Sequence, residues 1–163
     1  MRTGGKVPKL FLMVAFMLAS IESIARDNSG MVVSSRGEVS VISNDESRPL
    51  KHGDYIYEHD EIIVGNRSFA VLQLADGAKL TLRPESSLII EQYLYEGVDS
   101  DTATLNLVSG SLRVVAGAIA HTQPGNYRIR TPVALMSVQG SESSLNLCGD
   151  KICDQQGLVE ILE

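Results

Sequence analysis

Apolar and polar residues alternate in short runs along most of this chain, and Gly, Asp, Asn, Ser and Pro separate the runs. Alternation with a period of two puts every second side chain on one face of a strand, the mark of a half-buried sheet. The clearest case lies between Gly53 and Ser86. Ala70, Leu72 and Leu74 share a face of one segment, Leu80 and Leu82 share a face of the next, and an Asp76-Gly77 turn signal separates them. Beyond residue 25 no segment sustains a helical period. The pattern predicts strands over residues 31–34, 38–42, 55–57, 61–64, 69–74, 79–83, 87–95, 102–108, 111–115, 127–130, 133–138, 143–148 and 158–162. Residues 96–102 read as a turn, and 115–125 as small residues running into a loop. The expected fold is all-β, with antiparallel hairpins packed as a β-sandwich or roll, or alternatively as β-solenoid-like stacked coils.

Register can be read as well, because residues directly opposite in a hairpin point to the same face. A two-residue turn at Ser109-Gly110 sets Leu107 opposite Leu112 and Leu105 opposite Val114, so the apolar stripes match. The same turn at Asp76-Gly77 would set Leu74 opposite Lys79 and Leu72 opposite Thr81. A three-residue loop, Asp76 to Ala78, instead sets Leu74 opposite Leu80 and Leu72 opposite Leu82. A bulged turn with Gly77 at positive φ is therefore expected.

The first 25 residues follow a different pattern. Arg2, Lys6 and Lys9 precede an apolar run from Leu10 to Ile21, and Ser23 and Ala25 supply small residues at the −3 and −1 positions. This is the layout of a secretory signal peptide cut after Ala25, leaving residues 26–163 as a single domain. Kept uncut, the segment would be a membrane anchor, but Glu22 ends the apolar run after 12 residues, short of the roughly 20 a spanning helix needs. No transmembrane segment is expected in the mature chain, which would be periplasmic or secreted.

Cleavage would remove Arg2, Lys6, Lys9 and Glu22. The chain's 14 basic and 20 acidic residues become 11 and 19, and its formal charge falls from −6 to −8. Such a surface repels phosphate backbones, and no basic cluster interleaved with aromatics offsets it, which argues against a nucleic-acid partner.

Cys148 and Cys153, the two cysteines of the sequence, would meet an oxidising compartment after export. A two-residue turn at Asp150-Lys151 pairs Gly149 with Ile152 and brings Cys148 opposite Cys153, where a cross-strand disulfide is sterically reasonable. The alternatives are a metal site, which lacks further ligands nearby, and a redox pair, whose usual Cys-x-x-Cys spacing is not met.

An ordered set of motifs runs through most of the mature part. It comprises Gly37-Glu38-Val39, Leu50-x-x-Gly53-Asp54, Asp60-Glu61-Ile62, and Gly65-x-x-Ser68-x-Ala70-x-Leu72-x-Leu74-x-Asp76-Gly77. Leu80-x-Leu82-x-Pro84-x-Ser86, Leu105-x-Leu107-x-x-Gly110-x-Leu112, Tyr127-x-Ile129-x-Thr131-Pro132-x-Ala134 and Val138-x-Gly140 follow. In this order the chain resembles the FecR domain, the domain of the periplasmic ferric-citrate regulator. The resemblance implies an exported all-β domain that mediates interactions and is not an enzyme. It treats Gly53, Asp54, Asp60, Gly65, Asp76, Gly77, Pro84, Gly110, Thr131, Pro132 and Gly140 as structural motif positions. In the full regulators a cytoplasmic segment and a membrane helix precede the domain and a receptor-contacting module follows it, together relaying a siderophore signal to a sigma factor. Here a leader-like segment stands at the front and the sequence stops at Glu163, so the resemblance is expected to cover the domain and not the whole relay. The chain also departs inside the match, with Gln139-Gly140-Ser141-Glu142-Ser143 where the family commonly has Arg-Gly-Thr and an aromatic. The cysteine pair is likewise outside the general pattern.

Candidate chemistry is thin. His52, His59 and Asp60 lie close in sequence but lack a third ligand at usable spacing, so turn chemistry explains them better than a metal or acid-base site. His121 falls in a polar loop. Asp99-Ser100-Asp101 lacks the Gly and Glu of a calcium loop. Ser109 and Ser141 form no Gly-x-Ser-x-Gly elbow, and Asp54, Asp60, Asp76 and Glu85 are spread over loops, where carboxylates satisfy backbone donors. No catalytic residues, metal or cofactor are therefore assigned. Tyr55 and Tyr57, and Tyr93 and Tyr95, are spaced to put two rings on one strand face, either as sheet packing or as a candidate aromatic platform for a sugar or partner strand. The reading is a non-enzymatic exported interaction module contacting an envelope protein or glycan, with an accessory role in iron-uptake or sigma-factor signalling as the alternative.

Overall fold

The computed structural model describes residues 27–161. The leader read over residues 1–25, and Leu162 at the end of the last predicted strand, lie outside the described residues. In chain order the strands are β1 (Asn28–Arg36), β2 (Val39–Ser43), β3 (Glu46–Pro49), β4 (Tyr55–Tyr57), β5 (Glu61–Val64), β6 (Phe69–Leu74), β7 (Lys79–Leu82) and β8 (Ser86–Leu94). They continue as β9 (Thr102–Ser109), β10 (Ser111–Val115), β11 (Tyr127–Arg130), β12 (Leu135–Val138), β13 (Glu142–Leu147), β14 (Ile152–Gln156) and β15 (Leu158–Ile161). A short helix α1 (Ala118–Thr122) and a 3-10 turn over Pro124–Asn126 lie between β10 and β11.

Each strand buries one face because its apolar residues recur every second position, and two such sheets cover each other's apolar faces as a β-sandwich. The first sheet has the order β14-β13-β10-β7-β6-β1-β4, and the second β15-β12-β11-β9-β8-β5-β2-β3. Pairing is antiparallel except for β9 with β11, which run parallel. Val32, Leu72, Leu80 and Leu82 from the first sheet and Ile62, Leu88, Ile90, Leu105 and Ile129 from the second belong to one buried apolar cluster. At about 1.5–3 kcal/mol for each fully buried aliphatic side chain, this cluster is the main favourable term for the fold.

The predicted strands over 55–57, 61–64, 69–74, 111–115 and 127–130 match β4, β5, β6, β10 and β11. Two strands were not legible. β3 has the sequence ESRP and is exposed throughout, and β14 is ICDQQ with only Ile152 partly buried. Both are sheet-edge strands, held by backbone pairing to one neighbour and not by apolar alternation. Residues 115–125, read as a loop, contain α1, which buries Ile119 and Ala120.

The Asp76-Gly77 hairpin forms, with Leu72 opposite Leu80 and Ala70 opposite Leu82. The loop is Ala75 to Gly77, closed by Gly77 N–H to Leu74 O (3.0 Å) and Leu74 N–H to Ala78 O (2.8 Å), and Gly77 has φ +86°. The bulged turn with a positive-φ glycine is as expected, but the register is two residues tighter than Leu74 opposite Leu80. A two-residue shift preserves which face each side chain takes, so alternation could not separate the two registers.

The hairpin expected at Ser109-Gly110 does not form. β9 pairs with β8 and β11 in the second sheet, whereas β10 pairs with β7 and β13 in the first. Leu105 thus lies opposite Ile90, and Leu112 opposite Leu82 and Leu145. The chain crosses between sheets at Gly110, which has φ +81° and packs against the Ser86 backbone. Ser86 Oγ accepts the Ser111 N–H (2.9 Å) and fixes the crossing. Matching apolar stripes are equally satisfied by strands on opposite walls of one core, which is what this chain does.

Candidate functional site

The turn from β4 to β5 passes from one sheet to the other, and its conformation follows from Asp60. This residue is fully buried, and its Oδ2 accepts the Tyr57 N–H at 2.9 Å. Its own N–H donates to Tyr57 O (3.2 Å) and its carbonyl accepts from Ile90 N–H (3.1 Å). The tight turn drives His59 into the left-handed region at φ +69°, where its N–H donates to Ile90 O at 2.7 Å. A non-glycine residue held there carries local backbone strain. Glu58 Oε1 accepts the Tyr93 N–H at 3.1 Å, so the turn is stitched to β8 at several points.

Glu58 and His59 line two hollows. One, of about 380 Å³, is also bounded by Asp27, Asn28, Tyr93, Tyr95 and Glu96, among others. The other, of about 440 Å³, is bounded by Glu91, Gln92, Thr104, Arg128 and Arg130.

Tyr93 reaches its place through an irregularity in β8. The pairing of β8 with β9 shifts between Ile90 and Gln92, after which Tyr93 lies opposite the buried Ala103. Strict alternation would put Tyr93 on the face opposite Ile90, and the bulge brings it inward. Its phenol donates to Asp76 Oδ1 (3.1 Å) and accepts the Asp76 N–H (2.8 Å). Asp76 is itself 6% exposed. Its carboxylate also accepts N–H bonds from Ala78 (3.1 Å) and Ile119 (3.3 Å), tying the β6–β7 turn to the start of α1. Burial, followed by the charge of Asp76, holds the Tyr93 phenol well above its ordinary pKa. Tyr127 is fully buried, its hydroxyl has no hydrogen-bond partner among the described residues, and burial with the charges of Asp76 and Tyr93 likewise raises its pKa.

Arg128 and Arg130 alternate with the buried Ile129 on β11 and are exposed. Arg128 Nε donates to Gly125 O (2.9 Å). Arg130 Nε donates to Glu91 Oε2 (3.0 Å), and Asn106 Nδ2 donates to Glu91 Oε1 (2.9 Å). Each guanidinium is thus anchored through Nε.

The four tyrosines of the candidate platform come from β4 in the first sheet and from β8 and the residue just after it in the second. Tyr93 and Tyr95 border the first hollow, Tyr95 being 37% exposed, while Tyr55 (52% exposed) and Tyr57 lie on the edge strand β4 of the first sheet. His52 places Nδ1 2.7 Å from Val33 O, and His121 lies exposed on α1. Among the described residues no group of three or more His, Cys, Asp and Glu is placed to hold a metal ion.

The motif positions are found at turns. Gly53 N–H donates to Val32 O (2.9 Å), and Asp54 Oδ2 accepts the Lys51 N–H (2.8 Å). Gly65 N–H donates to Glu38 O (2.8 Å). Pro84 and Glu85 carry the chain from β7 to β8. Thr131 Oγ1 accepts from the N–H groups of Val133 (3.3 Å) and Ala134 (2.9 Å), closing the Thr131-Pro132 turn. Gly140 lies between β12 and β13 with φ +83°. Asp101 accepts N–H bonds from Glu96, Gly97 and Val98 and so organises the 96–101 turn.

Cys148 and Cys153 are joined as a disulfide with Cα atoms 5.8 Å apart. The turn differs from the expected one. Leu147 lies opposite Ile152, Cys148 N–H donates to Lys151 O (2.8 Å), and Gly149-Asp150 forms the turn. Pairing then shifts so that Asn146 faces Asp154, leaving Cys153 as the extra residue of a bulge. The bulge swings Cys153 back within reach of Cys148.

Sequence reading did not single out Arg128, Arg130, Glu58 or Glu91. The Arg-Ile-Arg alternation was a usable signal of two cations on one strand face, but their neighbours come from β4–β5 and β8 and depend on topology.

A family model described as FecR protein matches residues 60–163. No curated protein matches the chain in sequence. No helix among the described residues is long and apolar enough to cross a membrane.

Proposed function

Because the chain belongs to the FecR family, a regulatory and signalling family not known for catalysis, we propose that it is a non-enzymatic interaction module of the bacterial cell envelope. It works by contacting an envelope protein or glycan. The family match, spanning residues 60–163 of the sandwich, carries this reading. The family's periplasmic setting and the Cys148–Cys153 disulfide are consistent with export. On this reading residues 1–25 are a signal peptide cut after Ala25, and residues 26–163 are the working domain. The double hollow at Glu58-His59 supports a binding role, since it joins fixed polar groups to an exposed aromatic ring in a concave surface.

Affinity capture from envelope extract with the purified chain, alongside retention on immobilised cell-wall glycan, tests the proposal. Repeated recovery of one envelope protein, or retention on glycan, supports it. A chain that does neither overturns it.

The FecR family also fits an iron-uptake and sigma-factor signalling setting, which favours a second reading as an accessory of such a system. Deleting the gene under iron limitation would then change transcription of uptake genes, and an unchanged transcriptome would remove this reading.

A further inference from the structure

We propose that the Cys148–Cys153 disulfide is a substrate for thiol–disulfide exchange with a protein dithiol, and that its reduction releases β14 from the first sheet while the sandwich stays folded. The proposal is independent of which partner the module binds.

Three features of the bridge point to exchange. Both cysteines are exposed, so an attacking thiolate needs no unfolding to reach the sulfurs. The bridge closes a short loop, of sequence separation 5, at the start of β14. That edge strand pairs with β13 alone and buries little beyond part of Ile152. By linkage, a fold protects a bridge from reduction only as far as the bridge stabilises the fold, and here that is little. Thirdly, Cys153 borders a hollow of about 360 Å³ whose other walls include Ala134, Met136, Ile152, Asp154 and Glu160. The hollow gives an incoming thiol a concave seat beside one sulfur of the pair. The spacing departs from Cys-x-x-Cys, which argues against a catalytic redox pair, but a substrate disulfide has no such requirement.

The exchange runs in two steps. A thiolate of the dithiol attacks Cys153 Sγ, the Cys148–Cys153 bond breaks, and Cys148 leaves as a thiolate that takes a proton from water. The second thiol of the dithiol, deprotonated, then attacks its partner sulfur in the mixed disulfide and expels Cys153, which is protonated in turn. The dithiol loses two electrons and two protons and ends as a disulfide, and this chain gains them as two thiols. β13 stays paired with β10 and keeps Leu145 and Leu147 in the core. Only its outer edge, from Ser144 to Leu147, is uncovered.

Charge selects the reductant. Asp154 and Glu160 line the hollow, and Asp150 and Lys151 offset each other in the adjoining turn, so the surroundings of Cys153 are negative. An anionic thiol is repelled there, and the fitting dithiol carries cationic side chains around its reactive cysteine.

Reduction of the oxidised chain by dithiothreitol in native buffer tests the proposal, with thiols trapped by iodoacetamide and counted by mass spectrometry. The rate is expected to lie within about tenfold of that for the same chain unfolded in urea, and to change little in urea below the unfolding transition. Hydrogen exchange of the reduced chain should rise over β13 and β14 and nowhere else. Cys148→Ser with Cys153→Ser should reproduce that exchange pattern, which separates loss of the bridge from any effect of the reagent. At low salt, cationic cysteamine should outpace anionic glutathione several-fold more on the folded chain than on the unfolded one, with the added thiol on Cys153. Asp154→Asn with Glu160→Gln should close that gap. A rate that climbs with urea in step with global unfolding, resistance to millimolar dithiothreitol, or reduction that unfolds the whole chain overturns the proposal. A thiol trapped on Cys148, or the same rate ratio folded and unfolded, overturns the entry at Cys153. None of these results bears on partner capture, so the module reading stands or falls by its own test.

Discussion

The Tyr93 phenol, carried by β8 of the second sheet, is hydrogen-bonded to Asp76 on the β6–β7 turn of the first, donating to Oδ1 at 3.1 Å and accepting the Asp76 N–H at 2.8 Å. Asp76 in turn holds the start of α1 through Ile119. One carboxylate thus joins both sheets and the only helix longer than a single 3-10 turn among the described residues.

Tyr93→Phe removes one donor and one acceptor from this buried carboxylate and its N–H. A lost hydrogen bond to a charged group costs about 1.5–3 kcal/mol, and that is the expected loss of unfolding free energy in urea titration. A change below about 0.5 kcal/mol would mean that the clasp adds little to stability.

Tyr127→Phe should behave in the opposite way. The Tyr127 hydroxyl is buried without a partner among the described residues, so the phenylalanine removes a desolvated polar group and leaves the ring packing intact. The expected change is neutral or stabilising, within about 1 kcal/mol, read from the same urea titration.

The two phenols also give an expected pH response. Burial raises both folded-state pKa values above the ordinary tyrosine value, Tyr127 more completely than Tyr93. Below about pH 10 both states keep the protons, and the stabilisation is fully present. Above that the unfolded chain releases protons that the folded chain retains, so stability falls as pH rises, by up to about 1.4 kcal/mol per pH unit for Tyr127. Tyr93 adds less because part of its ring meets solvent. Chemical denaturation between pH 9 and 11 should show this slope, and the Tyr93→Phe, Tyr127→Phe double variant should flatten it.

Strand positions were legible because alternation is a local property, and Phe69–Leu74 needed nothing but its own residues. Sheet membership was not. Alternation says which face Leu105 and Leu112 take, but not that they line opposite walls of the core, since that choice depends on the Ser86–Gly110 crossing. The hollows beside Glu58 and His59 were illegible for a related reason. Arg130 and Glu91 meet across 39 residues of sequence, and Tyr93 turns inward only because β8 is irregular after Ile90.

The disulfide closes a small loop on an edge hairpin, so its contribution is expected to be limited. The loop-entropy estimate gives about 2 kcal/mol for so short a ring. Cys148→Ser with Cys153→Ser should lower the unfolding free energy, read from urea titration, by no more than this. Increased hydrogen exchange should be confined to residues 142–156, because β14 pairs with β13 alone and buries little beyond Ile152. Global loss of protection would show that the bridge supports more than this hairpin.

Gly77 and Gly110 separate two costs that a glycine can avoid. Both have positive φ, +86° and +81°, where a Cβ is disfavoured. An alanine at Gly77 would meet open space, so Gly77→Ala should cost only the backbone penalty, about 1–2 kcal/mol. At Gly110 the new Cβ would stand 2.5 Å from Ser86 Cα and 2.8 Å from Glu85 O. Those are backbone atoms that cannot rotate away, and Ser86 also holds Ser111 through Oγ. Gly110→Ala should therefore cost clearly more than Gly77→Ala and also disturb the β9-to-β10 crossing. Thermal and urea unfolding of the two variants side by side checks the order. Equal losses would mean that the crossing tolerates a shift of Ser86 and is not the fixed point that divides the two sheets.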